Sequence, residues 1–269
     1  PVAVQLLGSD AVCLAENAAR LAEFLPAAID LNFGCPAPTV NRHHGGAALL
    51  ADPERIFLIA AAVRRAVPSR LPLTAKMRLG VRDTSRTLDC ARALESGGVA
   101  SLVVHARTKS EGYRPPAHWE WVARIRESVR VPVTANGEVW TADDHARCCS
   151  LSGGADVMIG RGAVADPFLA RRIRARLAGK DAALDTAHEW RALQTLLGIY
   201  WQQVCARVSA RRAPGRLKLW LNALQRNYPE ARALFLAVRG VTPCEEVTRV
   251  LLRHGVGVPA GGVQDADVR

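Results

Sequence analysis

Ile29-Asp30-Leu31-Asn32-Phe33-Gly34-Cys35-Pro36 is a short apolar strand that stops abruptly in a tight turn carrying one thiol. Gly34 and Pro36 force the backbone to turn around that thiol. A strand end is rigid, so Cys35 is held in a fixed place. If the strand belongs to a barrel of parallel strands, its C-terminal end opens onto the active-site face. A cysteine in isolation more often just packs in a core, so the surrounding chain has to decide what this one does.

Outward from this strand, short apolar runs alternate with helical stretches rich in Ala, Leu and Arg as far as about Phe168. The expected strands are Val2–Leu7, Ala28–Phe33, Leu73–Leu79, Ser101–His105, Val131–Ala135 and Asp156–Ile159. Asp52–Ala66 and Ser85–Ser96 are among the helices expected between them. Buried apolar strands alternating with helices mean βαβ units and a parallel sheet. Polar residues recur just where the strands end: Gln5, Cys35, Lys76, His105, Asn136 and Arg161. Chemistry gathered at one end of a parallel sheet is the mark of a (β/α)8 TIM barrel, with a doubly wound sheet as the alternative. Six βα units can be counted where a closed barrel has eight, and chain order puts the missing two, approximately, before Pro1.

Beyond Arg171 the strand pattern ceases. Arg191–Arg207 and Gly215–Arg226 are expected helices, and Leu217, Trp220, Leu221 and Leu224 fall on one face of the second. Three segments are expected: a barrel catalytic domain over 1–170, a small basic helical domain over 171–255, and a disordered tail over 256–269 with little apolar mass.

Charge supports this division. Of the net +11, residues 1–170 supply +2 from 19 Lys or Arg against 17 Asp or Glu, and residues 171–254 supply +10 from 16 against 6. Lys makes up only 4 of the 36 basic residues, so an arginine-rich composition raises the total. Composition alone would not concentrate the excess in one segment, which suggests a polyanionic partner. With 269 residues, 49% hydrophobic and 23% charged, the chain can bury a sizeable core. No apolar run approaches the roughly 20 residues a membrane helix needs, and no signal peptide is evident. The seven cysteines are odd in number and lack C-x-x-C spacing. That suits a reducing cytoplasm and argues against a disulfide framework, a zinc site or an iron–sulfur cluster.

Chemistry concentrates at the strand ends. Thr74, Lys76 and Arg78 share one strand face, and inward-pointing charges there need an acceptor or anionic partner. His105-Ala106-Arg107 closes the next strand. Asn136-Gly137-Glu138 and Gly160-Arg161-Gly162 end the last two. Loops at those places are the frequent phosphate site of such barrels, which suggests a phosphorylated cofactor.

These residues carry a family resemblance. Gln5-Leu6-Leu7-Gly8, Asn32-x-Gly34-Cys35-Pro36, Gly46-Ala47-Ala48-Leu49-Leu50, Lys76-Met77-Arg78-Leu79-Gly80, Val104-His105-Ala106-Arg107-Thr108, Asn136-Gly137-Glu138 and Ile159-Gly160-Arg161-Gly162 together resemble the tRNA-dihydrouridine synthases. Gly215-Arg216-Leu217-Lys218-x-Trp220-Leu221-Asn222 with Tyr228-Pro229 looks most like the branch acting on uridine 16. The resemblance implies an FMN-dependent enzyme that reduces the 5,6 double bond of a tRNA uridine, with NADPH as reductant. It implies that Gln5, Lys76, His105, Asn136, Gly137, Glu138, Gly160 and Arg161 hold FMN. Hydride would pass from FMN to C6, and Cys35 would give a proton to C5. An ordinary thiol, with a pKa of about 8.5, is mostly protonated at neutral pH and can act as that acid. Asn32, Arg78, Arg107, Tyr113, Arg207, Arg211, Arg212 and Lys218 are the expected tRNA contacts, since RNA is gripped by its phosphates and read where bases are unstacked. The family's first strand and its loop contribute to the flavin site, so a chain starting at Pro1 is expected to hold FMN weakly. A monomer without a metal or membrane partner is expected. Two alternatives are a flavin-dependent reductase of a small pyrimidine and a non-catalytic tRNA-binding remnant.

Overall fold

The structure, a computed structural model, describes residues 1–180 and 186–258. The chain divides into two compact units, residues 1–139 with 143–160, and residues 140–142 with 161 onward.

The first unit is a six-stranded sheet in which every neighbouring pair is parallel and the strands follow chain order. Its strands are β1 (Ala3–Leu6), β2 (Ala28–Phe33), β3 (Leu73–Arg78), β4 (Ser101–His105), β5 (Val133–Asn136) and β6 (Val157–Met158). Helices α1 (Ala11–Ala22), α2 (Pro38–Arg42), α3 (Pro53–Ala66), α4 (Thr87–Ser96), α5 (Trp119–Ser128) and α6 (Ala142–Ser152) separate them. Neighbouring helices pack side by side, α1 on α3, α3 on α4 and α4 on α5. Helix α3 shows why the sequence breaks where it does. Asp52 caps it by accepting from the Arg55 amide at 3.1 Å, Pro53 opens the first turn, and Arg64 and Arg65 face the carbonyl end. Along β2, Ile29, Leu31 and Phe33 are buried while Asp30, Asn32 and Gly34 are only partly covered. One strand face therefore joins the hydrophobic core and the other carries polar groups.

The second unit is helical: α7 (Arg161–Ala165), α8 (Leu169–Leu177), α9 (Thr186–Arg207), α10 (Ala213–Leu224), α11 (Pro229–Val238) and α12 (Cys244–Arg253). It has its own core of Trp190, Leu193, Trp201, Leu217, Leu221, Leu234 and neighbours. The unit begins at Arg161, ahead of the residue-170 boundary read from the sequence, because α7 is tied to the helices that follow. Trp220 Nε1 donates to Val164 O at 3.2 Å and Asn227 Nδ2 to Ala165 O at 2.9 Å. Behind α7 lies a polar knot. Arg172 pairs with Asp166 at 2.8 Å and Glu189 at 2.6 Å, and the Tyr228 hydroxyl donates to Asp166 Oδ1 at 3.2 Å. Helix α10 begins at Ala213, before the expected Gly215, because Pro214 suits a first turn whose amides need no intrahelical partner. Of the segment 256–269 read as a disordered tail, Val256 is buried, its amide bonded to Leu251 O at 2.9 Å, and 259–269 lie outside the described residues.

Candidate active site

Cys35 follows β2 directly, and the chain grips its backbone from several sides. Asn32 Oδ1 accepts from the amides of Gly34 and Cys35, each at 2.9 Å, so the strand end is closed by a side-chain turn of the kind asparagine favours. The Cys35 carbonyl accepts from Asn41 Nδ2 at 2.8 Å and from the Ala47 amide at 3.0 Å. Arg78 Nε donates to the preceding carbonyl, Gly34 O, at 3.0 Å. Gly46 presses on the same carbonyl from a left-handed conformation (φ +60°), where a Cβ would stand 2.7 Å from Cys35 O. The thiol sits partly exposed on this braced loop.

Beside it runs a continuous polar face. Register places Gln5 opposite Asp30, Asn32 opposite Lys76, and His105 opposite Asn136. Asp30 accepts from Gln5 Nε2 and from Thr74 Oγ1, each at 2.6 Å. Gln5 in turn accepts from Asn32 Nδ2 at 2.7 Å. Lys76 Nζ donates to Asn136 Oδ1 at 2.8 Å, and Asn136 Nδ2 donates onward to Met158 O at 2.8 Å. The Lys76 ammonium is pushed down to about 8, chiefly by desolvation and also by the nearby Arg78, with Asp30 pulling the other way. Here the inward charges meet the acceptors their burial demands. Asp30 was missed in the sequence reading. Its signal was available, since it shares strand parity with Asn32 inside an apolar run.

A second cluster closes β4 and β5. Arg107 is 0% exposed; its guanidinium bonds the carbonyls of Arg114 (2.6 Å) and Pro116 (3.1 Å), the Glu138 carboxylate and, at 3.3 Å, His105 Nε2. Arg78, 2% exposed, donates to Thr108 O at 3.1 Å and Gly112 O at 2.8 Å and lies 5.2 Å from the centre of the Tyr113 ring. Tyr113 itself is 53% exposed. Three expected tRNA contacts thus have other work. Arg78 and Arg107 are buried struts of the β4–α5 loop, and both ends of the Asn32 amide are engaged in the Cys35 turn and with Gln5. A buried guanidinium bonded to carbonyls of its own chain is held in place by them.

Comparison with known proteins identifies the family. The family model described as Dihydrouridine synthase (Dus) matches residues 1–229. The chain is 54% identical over 251 residues to the tRNA-dihydrouridine(16) synthase of Pseudomonas syringae pv. tomato, covering 93% of this chain and 78% of that protein. The protein of the same name from Ralstonia nicotianae is 55% identical over 93% of this chain and 76% of its own length. The one from Neisseria meningitidis serogroup A is 47% identical over 96% and 78%.

The chain belongs to the dihydrouridine synthase family. It is therefore an enzyme of the oxidoreductase class, and its parallel βα units are those of the family's (β/α)8 barrel.

In this dihydrouridine synthase the remaining expected residues fall in or beside the second unit. Gly160 is exposed, with no atom within 4 Å of where a Cβ would stand. Arg161 opens α7 and lies 5.2 Å from the Trp140 ring centre, while Arg226, unforeseen from sequence, lies 4.2 Å from the same ring. Arg207, Arg211 and Arg212 are exposed where α9 gives way to α10. Lys218 is half-buried and donates to Val241 O at 2.6 Å, which makes it a strut of the helical unit. Among the described residues no group of three or more His, Cys, Asp or Glu is placed to hold a metal, and no helix is long and apolar enough to cross a membrane.

Proposed function

We propose that this dihydrouridine synthase reduces a uridine of tRNA to 5,6-dihydrouridine, and that the uridine is position 16, as in the names of its relatives. The observation that carries the proposal is a single thiol braced at the C-terminal end of β2, beside a polar face that runs through Lys76 to Asn136. FMN, when bound, supplies the hydride for C6, and NADPH restores it. The donor set fits such a group. Lys76, Gln5 and Asn136 each carry N–H hydrogens beyond the one bond made within the chain, and ring carbonyls accept such donors. Gly160, with open space where a Cβ would stand, leaves backbone bare at the end of β6, Gly137 lets the backbone at the end of β5 pass close to His105, and Arg161, next in the chain after Gly160, adds a charge suited to a phosphate. His105 and Glu138 complete the cofactor set, Glu138 through its backbone because its carboxylate is occupied by Arg107.

The chain's own task is the second half of the reduction. Cys35 holds a proton at a place set by the Asn32 turn and donates it to C5 of the uracil. The exposed Tyr113 and the arginines 207, 211 and 212 contact the tRNA, the arginines through phosphates. The enzyme works in the cytoplasm as a monomer. Two measurements test this reading. The protein supplied with FMN should show bound-flavin absorbance, and tRNA from a strain deleted for the gene should regain dihydrouridine at position 16 when the gene is returned. A complemented strain with uridine still unreduced at that position would sink the proposal.

A further inference from the structure

His105 closes β4, and one edge of its ring faces Arg107. Arg107 Nη1 lies 3.3 Å from His105 Nε2. Arg107 cannot move away, since it is fully buried, bonded to two carbonyls and ion-paired with Glu138. The Gly137 backbone, at φ +113°, runs against the same edge, where a Cβ would stand 2.7 Å from His105 Cδ2. The Tyr113 ring, with its centre 5.9 Å away, packs on the imidazole at a tilt of 33°. A guanidinium has donors only and stays charged at any pH a folded protein meets. The ring nitrogen that faces it must therefore present a lone pair, because an N–H there would oppose an N–H.

We infer that Arg107 fixes His105 as the neutral tautomer protonated on Nδ1, and that Arg107 and Glu138 are a positioning pair for this histidine. The arrangement resembles the way a second-layer partner sets which nitrogen of a metal-bound histidine is free, with the polarity reversed because the partner here is a donor. The one N–H of the neutral ring is then on Nδ1. That this donor serves an acceptor on bound FMN rests on the function proposed above; the tautomer itself does not.

The test uses the full chain labelled with 15N-histidine and two-bond 1H–15N correlation spectra at pH 7.5. His105→Gln identifies the signal among the seven histidines. The flavin-free wild type should show the Nδ1–H pattern, and an Nε2–H or doubly protonated ring would overturn the inference whether or not any variant folds. Arg107→Met should let His105 revert toward the Nε2–H form usual in water, and the milder Glu138→Gln should shift it partway. A ring unchanged in both variants would overturn the role of the pair. FMN affinity, followed by fluorescence quenching, is expected to weaken roughly tenfold in Arg107→Met, the scale of one hydrogen bond. Unchanged affinity with a changed tautomer would remove the cofactor-directed role. A wild type that binds no flavin would instead defeat the proposed function and leave the tautomer standing.

Discussion

The Cys35 thiol follows a strand whose last turn is closed by Asn32 and whose carbonyl is held by Asn41 and Ala47. A proton delivered from so fixed a point is worth about 10²–10⁴-fold in rate. Cys35→Ala should therefore retain flavin while tRNA reduction, measured as dihydrouridine formed in single turnovers, falls by about that factor. Normal dihydrouridine formation by the variant would take Cys35 out of the mechanism. Lys76 makes a second residue-scale prediction. Its pKa is lowered from 10.5 to about 8, chiefly by desolvation. Between those values the unfolded chain holds a proton that the folded chain has released, so stability rises as pH climbs from about 8 toward 10.5. Below about 8 both states are protonated and the whole burial penalty is present. Lys76→Met should abolish this rise, seen in urea midpoints at pH 7 and 9.5. At pH 7 it should stabilise the fold by at most about 3 kcal/mol, offset in part by the lost bond to Asn136.

At the scale of elements, the turn after β2 depends on a glycine that touches it from outside. Gly46→Ala would force a left-handed alanine whose methyl meets Cys35 O at 2.7 Å. A loss of about 2 kcal/mol is expected, with a fall in reduction rate beyond what the stability loss explains. Full activity in a folded Gly46→Ala protein would show that the brace on Cys35 is dispensable. In the helical unit, Arg172→Met would leave the Asp166 and Glu189 carboxylates together without their cation. About 3–5 kcal/mol should be lost, read from the denaturation midpoint. The strands and α3 were legible in the sequence to within a residue or two, because alternation, Asp caps and N-terminal prolines act locally. Helices α11 and α12 escaped, although Pro229 and Pro243 mark their starts. Their apolar residues, Leu234 and Leu251 among them, become a core face only once α9 and α10 supply the opposite wall.

For the whole molecule, the charge excess of residues 171–254 predicts salt-dependent tRNA binding. The double variant Arg211→Ala, Arg212→Ala should weaken binding. It should also flatten the plot of log affinity against log salt by about 0.7–0.9 for each phosphate contact removed. Lys218→Ala should leave that slope unchanged and lower thermal stability instead, because its ammonium is committed to Val241 O. An equal loss of slope in Lys218→Ala would place that lysine on the RNA.

By itself the sequence determined the positions of the six strands, the turn that bears Cys35, the polar residues at the strand ends and the separation of a basic helical segment. Each of these is written in neighbouring residues: parity along a strand, glycine and proline at a turn, charge summed over a stretch. Strand parity turned Arg78 inward, but which acceptors each basic side chain finds was decided only by the tertiary structure. Arg107 and Lys218 look no different in sequence from Arg211 and Arg212, yet they, like Arg78, end among carbonyls that the chain supplies from 23 to 44 residues away or from a neighbouring loop. A cation's role follows from the acceptors around it, and those are assembled by folding.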